Sequence, residues 1–85
     1  MKKVIKFYAD WCAPCKAYAP AFEEVTKELE NYEVLNVNID EDTEGLAAKY
    51  KVRSIPFTIL ESEKGAKRTF QGVMSADELR KFINI

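Results

Sequence analysis

The chain has 85 residues, 47% of them hydrophobic and 12% aromatic, and its 13 basic and 14 acidic side chains leave a net charge of −1. This length provides one hydrophobic core, so we expect a single domain over residues 1–85. The balanced charge argues against a partner that is nucleic acid or an anionic membrane surface. The apolar stretch behind Lys2 and Lys3 is interrupted by Lys6, which argues against a signal peptide or a membrane span.

The first predicted element is a buried strand over Val4 to Tyr8, followed closely by the motif Cys12-Ala13-Pro14-Cys15. A helix is predicted to begin at Cys12 or Ala13 and to run to about Glu30. Its apolar residues recur every three or four positions, as expected for one buried face: Ala17, Tyr18, Ala21, Phe22, Val25 and Leu29. A Cys-x-x-Cys motif between a strand and a helix is typical of a redox site.

The two cysteines have different predicted roles. Cys12 lies at the helix N-terminus, where unpaired N–H groups and the helix dipole favour a thiolate, so we expect it to be the attacking nucleophile. Cys15 follows by nearly one helical turn and can close a disulfide with Cys12, so we expect it to be the resolving thiol. Pro14 fits the first helical turn, where an N–H has no intrahelical partner.

Two other interpretations of this motif are weaker. A zinc site needs four ligands, and the chain holds only these two cysteines and no histidine, so we expect no metal. A structural disulfide across three residues closes a very short loop and stabilises the fold little. Two inert buried thiols are a further alternative, which the small residues and Asp10 around the motif disfavour.

Beyond the first helix, alternating residues predict a second strand over Leu35 to Ile39, parallel to the first with a right-handed crossover. Asp40 to Thr43 form a polar turn suited to capping a short helix over Glu44 to Tyr50. The segments Phe57 to Glu61 and Arg68 to Gln71 flank a turn and predict a hairpin.

Ser75 and Glu78 have the spacing of a capping box that opens a last helix, with Leu79, Phe82 and Ile83 on its apolar face. The predicted element order of this α/β chain is therefore β-α-β-α-β-β-α.

These elements and motifs together resemble the thioredoxin family. The resemblance rests on residues 8–16, Pro20, Asn38-Ile39-Asp40, Val52-Arg53-Ser54-Ile55-Pro56 and Gly72. It implies the thioredoxin fold, with a four-stranded mixed sheet of order 2-1-3-4 flanked by three helices and the third strand antiparallel to the first. The chain carries no match to the additional N-terminal strand and helix of longer thioredoxins.

The resemblance also implies site residues. The peptide bond before Pro56 is expected to be cis, and Pro56 to lie against the redox pair. Backbone near Ile55 would pair with a client chain, Trp11 would shield the site, and Gly72 would let the client approach. We therefore assign substrate binding to Trp11, Ala13, Pro14, Ile55, Pro56 and Gly72.

One departure from the family concerns the buried aspartate of longer thioredoxins, to which proton transfer with the resolving cysteine is assigned. Lys6 stands at that position, and Asn36 stands where the family has a lysine. Lys6 is a candidate modulator of the pKa of Cys15, since a nearby cation favours thiolate. The alternative is a lysine whose stem crosses apolar surface while its ammonium reaches water.

The resemblance implies a protein-disulfide reductase that needs no metal and no bound organic cofactor. Its partners would be client proteins with disulfides and an NADPH-dependent flavoprotein thioredoxin reductase, and we expect a cytoplasmic monomer. A glutaredoxin-like enzyme coupled to glutathione is the alternative, although Gly72 lacks the second glycine typical of that family. A non-enzymatic binding module and an oxidant or isomerase are further alternatives, the last because direction depends on reduction potential.

Overall fold

A computed structural model describes residues 1–84 of the chain. Its elements follow the predicted order: β1 (Lys2–Tyr8), α1 (Ala13–Thr26), β2 (Tyr32–Asn38), a 3₁₀ turn (Ile39–Glu41), α2 (Leu46–Lys49), β3 (Phe57–Glu61), β4 (Lys67–Gln71) and α3 (Ala76–Asn84). None of the helices in this part of the chain is long and apolar enough to cross a membrane.

The four strands form one mixed sheet in the order β2-β1-β3-β4, as the resemblance implied. β1 and β2 are parallel, with Lys6 beside Asn36, and β3 runs antiparallel to β1, with Lys6 beside Thr58 on that side. β3 and β4 pair as the predicted antiparallel hairpin. β1 therefore lies in the centre of the sheet, and it leads directly into the cysteine motif.

The sheet carries a hydrophobic cluster on each face. The face covered by α1 and α3, which we call the α1/α3 face, has the larger set of buried residues: Val4, Tyr18, Phe22, Val25, Met74, Leu79, Phe82 and Ile83. The opposite face, which we call the α2 face, has Ile5, Phe7 and Ile59 buried beneath partly buried residues of β2, α2 and the following loop. Alternation along β1 sends successive side chains to opposite faces.

The predicted end of α1 at about Glu30 is wrong, because the helix ends at Thr26. The Thr26 hydroxyl donates to the Phe22 carbonyl at 2.7 Å, and the amides of Glu28 and Leu29 bond three residues back instead of four. The helix therefore tightens into a turn. Leu29 still packs on the core, which explains why its spacing resembled a further helical turn.

Other boundaries also differ from the prediction. β2 begins at Tyr32 and ends at Asn38, because Tyr32 and Val34 already pack on the α1/α3 face and Ile39 enters the 3₁₀ turn. α2 is shorter than the predicted 44–50, because the left-handed Gly45 (φ 68°) precedes its first residue.

Side-chain hydrogen bonds cap the N-termini of α2 and α3, as predicted. The carboxylate of Asp42 accepts the amides of Leu46 and Ala47 at 2.9 and 2.8 Å, which caps α2. At α3 the Ser75 hydroxyl accepts the Glu78 amide while the Glu78 carboxylate accepts the Ser75 amide, at 3.1 and 2.9 Å. The predicted capping box is confirmed.

Candidate active site

Cys12 and Cys15 lie where β1 passes into α1. Cys12 is the N-cap residue of α1, with extended backbone, and its Sγ accepts a hydrogen bond from the Cys15 amide at 3.2 Å. The two cysteines form a disulfide, and their Cα atoms are 5.2 Å apart. The Cys12 amide donates to the Ala9 carbonyl at 3.1 Å, which fixes the turn before the helix. The dithiol is therefore held by backbone hydrogen bonds on both sides of Cys12.

The cysteines themselves are covered, while the residues around them are exposed. Cys12 is 5% exposed and Cys15 is 3% exposed, and they pack with Ala9 in a small cluster against Tyr8, Ile39 and Ile55. In contrast, Trp11 is 67% exposed, and Ala13 and Pro14 are also exposed. A disulfide of another protein would therefore reach the pair through this exposed tip of the helix.

Trp11 is oriented by an acidic residue that the sequence analysis did not assign to the site. Its indole Nε1 donates to Asp40 Oδ2 at 2.9 Å. The Asn38 side chain accepts the Asp40 amide at 3.0 Å, which positions the turn that carries this carboxylate. Trp11 and Asp40 are 29 residues apart, so only the parallel pairing of β1 and β2 brings them together. In the sequence, the motif Asn38-Ile39-Asp40 was the signal that could have indicated this contact.

The loop before β3 closes the other side of the site. The Ile55–Pro56 peptide bond is cis, as the resemblance implied. Ile55 packs against the cysteine cluster, and Pro56 is buried. The Gly72 amide donates to the Pro56 carbonyl at 2.9 Å, and Gly72 has a φ of 109°, a conformation that favours glycine.

Four of the predicted site residues line two separate cavities. A cleft of about 240 Å³ lies between Trp11 and Ile55, bounded by the loop from α2 to β3. A larger cavity of about 440 Å³ is lined by Cys15 and Lys6. Lys6 therefore does not share a surface with Trp11, but it does share one with the predicted resolving cysteine.

Lys6 is largely covered by its neighbours, but it also lines the cavity of about 440 Å³. It is 5% exposed, and its Nζ lies 4.7 Å from the ring centroid of Phe22. Burial lowers the pKa of Lys6 below its ordinary value, and the negative charge of Glu23 partly opposes this shift. Glu23 was not among the predicted site residues.

The neighbouring Tyr18 is also held in a low-dielectric environment. Its hydroxyl forms a hydrogen bond of 2.8 Å with the hydroxyl of Thr58, and both residues are fully buried. Burial raises the pKa of Tyr18 to about 12, although the hydrogen bond from Thr58 acts in the opposite direction. Tyr18 is therefore a neutral phenol.

Comparisons with known proteins agree with this geometry. The thioredoxin family model matches residues 1–85. Thioredoxin from Rickettsia bellii is 39% identical over 82 residues, covering 95% of this chain and 77% of that protein. Thioredoxin from Mycoplasmoides gallisepticum is 33% identical over 82 residues, covering 96% of this chain and 81% of that protein.

Solved structures similar to this fold also include thioredoxins. A solved structure of a thioredoxin variant from Halobacterium salinarum superposes with a TM-score of 0.83 at 29% identity, covering 96% of this chain and 71% of that chain. The sheet order, the Cys12–Cys15 pair at the start of α1 and these matches all agree. This chain belongs to the thioredoxin family, and it is a thiol–disulfide oxidoreductase with disulfide-containing proteins as its clients.

Proposed function

We propose that the protein reduces disulfides in client proteins, with Cys12 as the attacking thiolate and Cys15 as the resolving thiol. The observation that carries this assignment is the position of Cys12 as N-cap of α1, a helix of 14 residues. Its Sγ accepts the Cys15 amide and faces the positive end of the helix dipole. Both effects stabilise a thiolate at Cys12, and neither acts equally on Cys15.

The reaction proceeds in two exchanges. The Cys12 thiolate attacks one sulfur of the client disulfide, so the client bond breaks, a mixed disulfide forms and the second client sulfur leaves as a thiolate. Cys15 then loses its proton and attacks Cys12 Sγ. This step forms the Cys12–Cys15 disulfide and releases the first client sulfur as a thiolate, which takes up a proton. The client gains two electrons and the protein loses two.

The client would bind over the exposed tip of α1 and the loops beside it. Trp11, Ala13 and Pro14 are exposed there, and the Trp11 ring is oriented by Asp40. Ile55 and Pro56 supply the opposite wall, and a Cβ on Gly72 would meet no atom within 4 Å. That open space beside Gly72 leaves room for a client backbone. These residues are the substrate-binding groove in our proposal.

We further propose that the electrons return from an NADPH-dependent flavoprotein thioredoxin reductase, and that the protein acts as a monomer in the cytoplasm. One Cys-x-x-Cys pair in a chain without other cysteines suits a reducing compartment, where disulfides are transient and catalytic. The reductase would bind at the same exposed tip of α1, because neighbouring residues cover the other sides of the disulfide that it must reduce.

The roles of the two cysteines are tested with single variants. Cys15→Ser retains the attacking thiolate, so it should accumulate a mixed disulfide with a disulfide-containing protein, visible by mass spectrometry of the intact adduct. Cys12→Ser should form none on the same timescale. The reverse pattern would exchange the two roles, and full cellular function of the double Cys12→Ser, Cys15→Ser variant would instead support a binding module.

The direction of the reaction is tested by the equilibrium reduction potential of the pair, followed by Trp11 fluorescence in a defined dithiol buffer. Reduction of clients requires a potential below the cytosolic glutathione poise, which is about −220 to −260 mV by extraction methods. A potential well above this poise would make the protein an oxidant or a glutathione-coupled enzyme, and the proposal of a reductase would be wrong.

A further inference from the structure

Lys6 is a buried amine without a carboxylate in direct contact. It lies in the middle of β1 with 5% exposure, between the fully buried Ile5 and Phe7. Among the described residues, no ion pair within 4.0 Å and no hydrogen bond involves its Nζ. Lysine is almost never buried in proteins unless it is paired, because desolvation disfavours the ammonium. An unpaired buried lysine at one position of the central strand therefore calls for a functional reason.

The surroundings of Nζ keep a charged amine tolerable. The centroids of the Phe22, Tyr8 and Tyr18 rings lie 4.7, 5.4 and 5.9 Å from Nζ. A cation within about 6 Å of an aromatic ring centroid is attracted by the ring quadrupole. Glu23 also lines the cavity, and its negative charge favours the ammonium form. The fold thus surrounds Lys6 with groups that favour the cation without neutralising it by direct contact.

The same cavity connects Lys6 with Cys15. Both residues line the space of about 440 Å³ beside Cys15. This space is large enough for several water molecules, and Asp10, Lys16 and Asn36 contribute polar side chains to its lining, so a proton can leave Cys15 for solvent through it. Cys15 is 3% exposed, and its thiolate would be poorly solvated without a nearby positive charge. Lys6 lines the same cavity and carries a positive charge as the ammonium.

We propose that the ammonium of Lys6 stabilises the thiolate of Cys15 and thereby speeds the step in which Cys15 resolves the mixed disulfide. The inference rests on the proposed roles of the two cysteines and adds a positioning residue to them. The Cys15 proton passes to cavity water, the Cys15 sulfur forms its bond to Cys12 Sγ, and the client sulfur departs with the electron pair of the broken bond. Lys6 keeps its proton throughout.

The pH dependence of this step involves the titratable and charged groups around Lys6. From α1 these are Glu23, Lys16, Tyr18 and Cys15, and from β1 and its following loop they are Tyr8 and Asp10. β2 and β3 contribute only the uncharged side chains of Asn36 and Thr58. Because burial raises the pKa of Tyr18 to about 12, its phenol does not titrate together with Cys15.

The test separates the two exchanges by stopped flow with the aromatic disulfide dithionitrobenzoate. Attack by Cys12 releases one thionitrobenzoate anion, and attack by Cys15 releases the second, so each cysteine has its own phase. Lys6→Met should leave the first phase unchanged and slow the second near neutral pH. The expected loss is about three- to fourfold for each unit by which the pKa of Cys15 rises, because a more basic thiolate is also more nucleophilic.

The matched control is Lys2→Met, which removes an exposed lysine from the same strand and the same face of the sheet. It should change neither phase. Lys6→Gln, which keeps a polar group without the charge, should reproduce the Lys6→Met result. If only Lys6→Met slows the second phase, packing rather than charge is responsible, and the proposal is overturned.

A second measurement reports on Cys15 without any client. In a Cys12→Ser background, the ultraviolet absorbance of the Cys15 thiolate gives its pKa directly, and Lys6→Met should raise it. An unchanged pKa, or a second phase slowed by the same factor at every pH, would overturn the proposal. If the wild-type protein instead shows no first phase, the role proposed for Cys12 fails, while this titration still decides the role of Lys6.

Discussion

The hydrophobic clusters on the two faces of the sheet differ in how completely their side chains are buried. On the α1/α3 face, two helices of 14 and 9 residues contribute six of the eight buried residues that form one continuous cluster. On the α2 face, a helix of four residues and the loops beside it leave most of the apolar side chains partly buried. The same central strand, β1, contributes to both clusters. Burial on the two faces therefore depends on the covering helices and not on the strand.

The active site lies where the two faces meet. The cysteine cluster contacts Tyr8 at the end of β1, Ile39 at the start of the 3₁₀ turn and Ile55 before the cis-proline. α1 holds the cysteines from the tightly packed face, while the loops that would bind a client come from the less tightly packed α2 face. A rigid dithiol beside adaptable loops suits an enzyme that must accept disulfides in different proteins.

The largest expected difference between the faces is tested by two leucines. Leu79→Ala in α3 removes a side chain with no exposure and should cost about 3–5 kcal/mol of unfolding free energy, since it leaves a cavity. Leu46→Ala in α2 removes the same atoms from a partly buried position and should cost only about 1–2 kcal/mol. Urea unfolding of the oxidised protein measures both. Equal losses would show that the two faces are equally well packed.

A buried and a half-exposed hydrogen bond sharpen the same comparison. Thr58→Val leaves the buried Tyr18 hydroxyl without its partner and should cost about 1–3 kcal/mol. On the α2 face, Tyr50→Phe breaks the 2.6 Å bond to Glu61 and should cost at most about 1 kcal/mol, because the partly buried carboxylate can bind water instead.

The double variant Tyr18→Phe, Thr58→Val removes both polar groups and is its control. It should recover most of the stability lost in Thr58→Val, because neither partner is then left unpaired. Chemical denaturation of the four proteins of this cycle gives the coupling. A double variant as unstable as the sum of its parts would contradict this account.

Much of the fold followed from local sequence patterns. β3 was predicted at its observed bounds, because Phe57 to Glu61 is flanked by a proline and a turn. The capping box of α3 was predicted because both of its residues lie within one helical turn. The end of α1 was not, because Leu29 continues the helical spacing while belonging to a turn. Hydrophobic spacing reports burial, and it does not report the backbone conformation.

The features of the site also divide into those that local sequence predicts and those that require the structure. The Cys12–Cys15 pair is local to one turn, so its position at the start of a helix was predictable. The Trp11–Asp40 hydrogen bond and the cavity between Lys6 and Glu23 join residues from different elements. Only the strand order brings them together. The sequence indicated that Lys6 was unusual, but its burial and aromatic surroundings required the structure.

Lys6 is the exception to tight packing on the α1/α3 face, and its replacement should stabilise the protein. Lys6→Met removes a buried charge that no ion pair among the described residues neutralises, and it should add about 1–2 kcal/mol to the unfolding free energy near neutral pH. Since burial lowers the folded-state pKa of Lys6, the unfolded chain binds more protons between that pKa and about 10.4. Wild-type stability therefore recovers as pH rises through this window.

The advantage of Lys6→Met should accordingly be largest near neutral pH and should shrink towards pH 10 or so. Thermal or urea unfolding across this range measures it, with Lys2→Met as the control that should show no such trend. A variant less stable than the wild type would mean that the aromatic rings compensate the charge fully. Higher stability combined with slower resolution of the mixed disulfide would identify Lys6 as a residue kept for function at the expense of stability.

The smallest expected effect concerns the two helix caps. Ser75→Ala at α3 and Asp42→Ala at α2 each remove side-chain hydrogen bonds to helix amides, and each should cost about 1 kcal/mol. The two substitutions should differ in how much of the fold they destabilise. α3 contributes Leu79, Phe82 and Ile83 to the buried cluster, so weakening its cap loosens the whole fold. α2 has no fully buried residue, so it can open alone.

Native-state hydrogen exchange distinguishes these two outcomes. Asp42→Ala should speed exchange of the α2 amides and leave those of β1 and α1 nearly unchanged. Ser75→Ala should lower protection throughout the α1/α3 face by a similar free energy. If Asp42→Ala also lowered protection in β1, the α2 face would be part of the same cooperative unit, and the loops beside Cys12 would be as rigid as the helix that holds it.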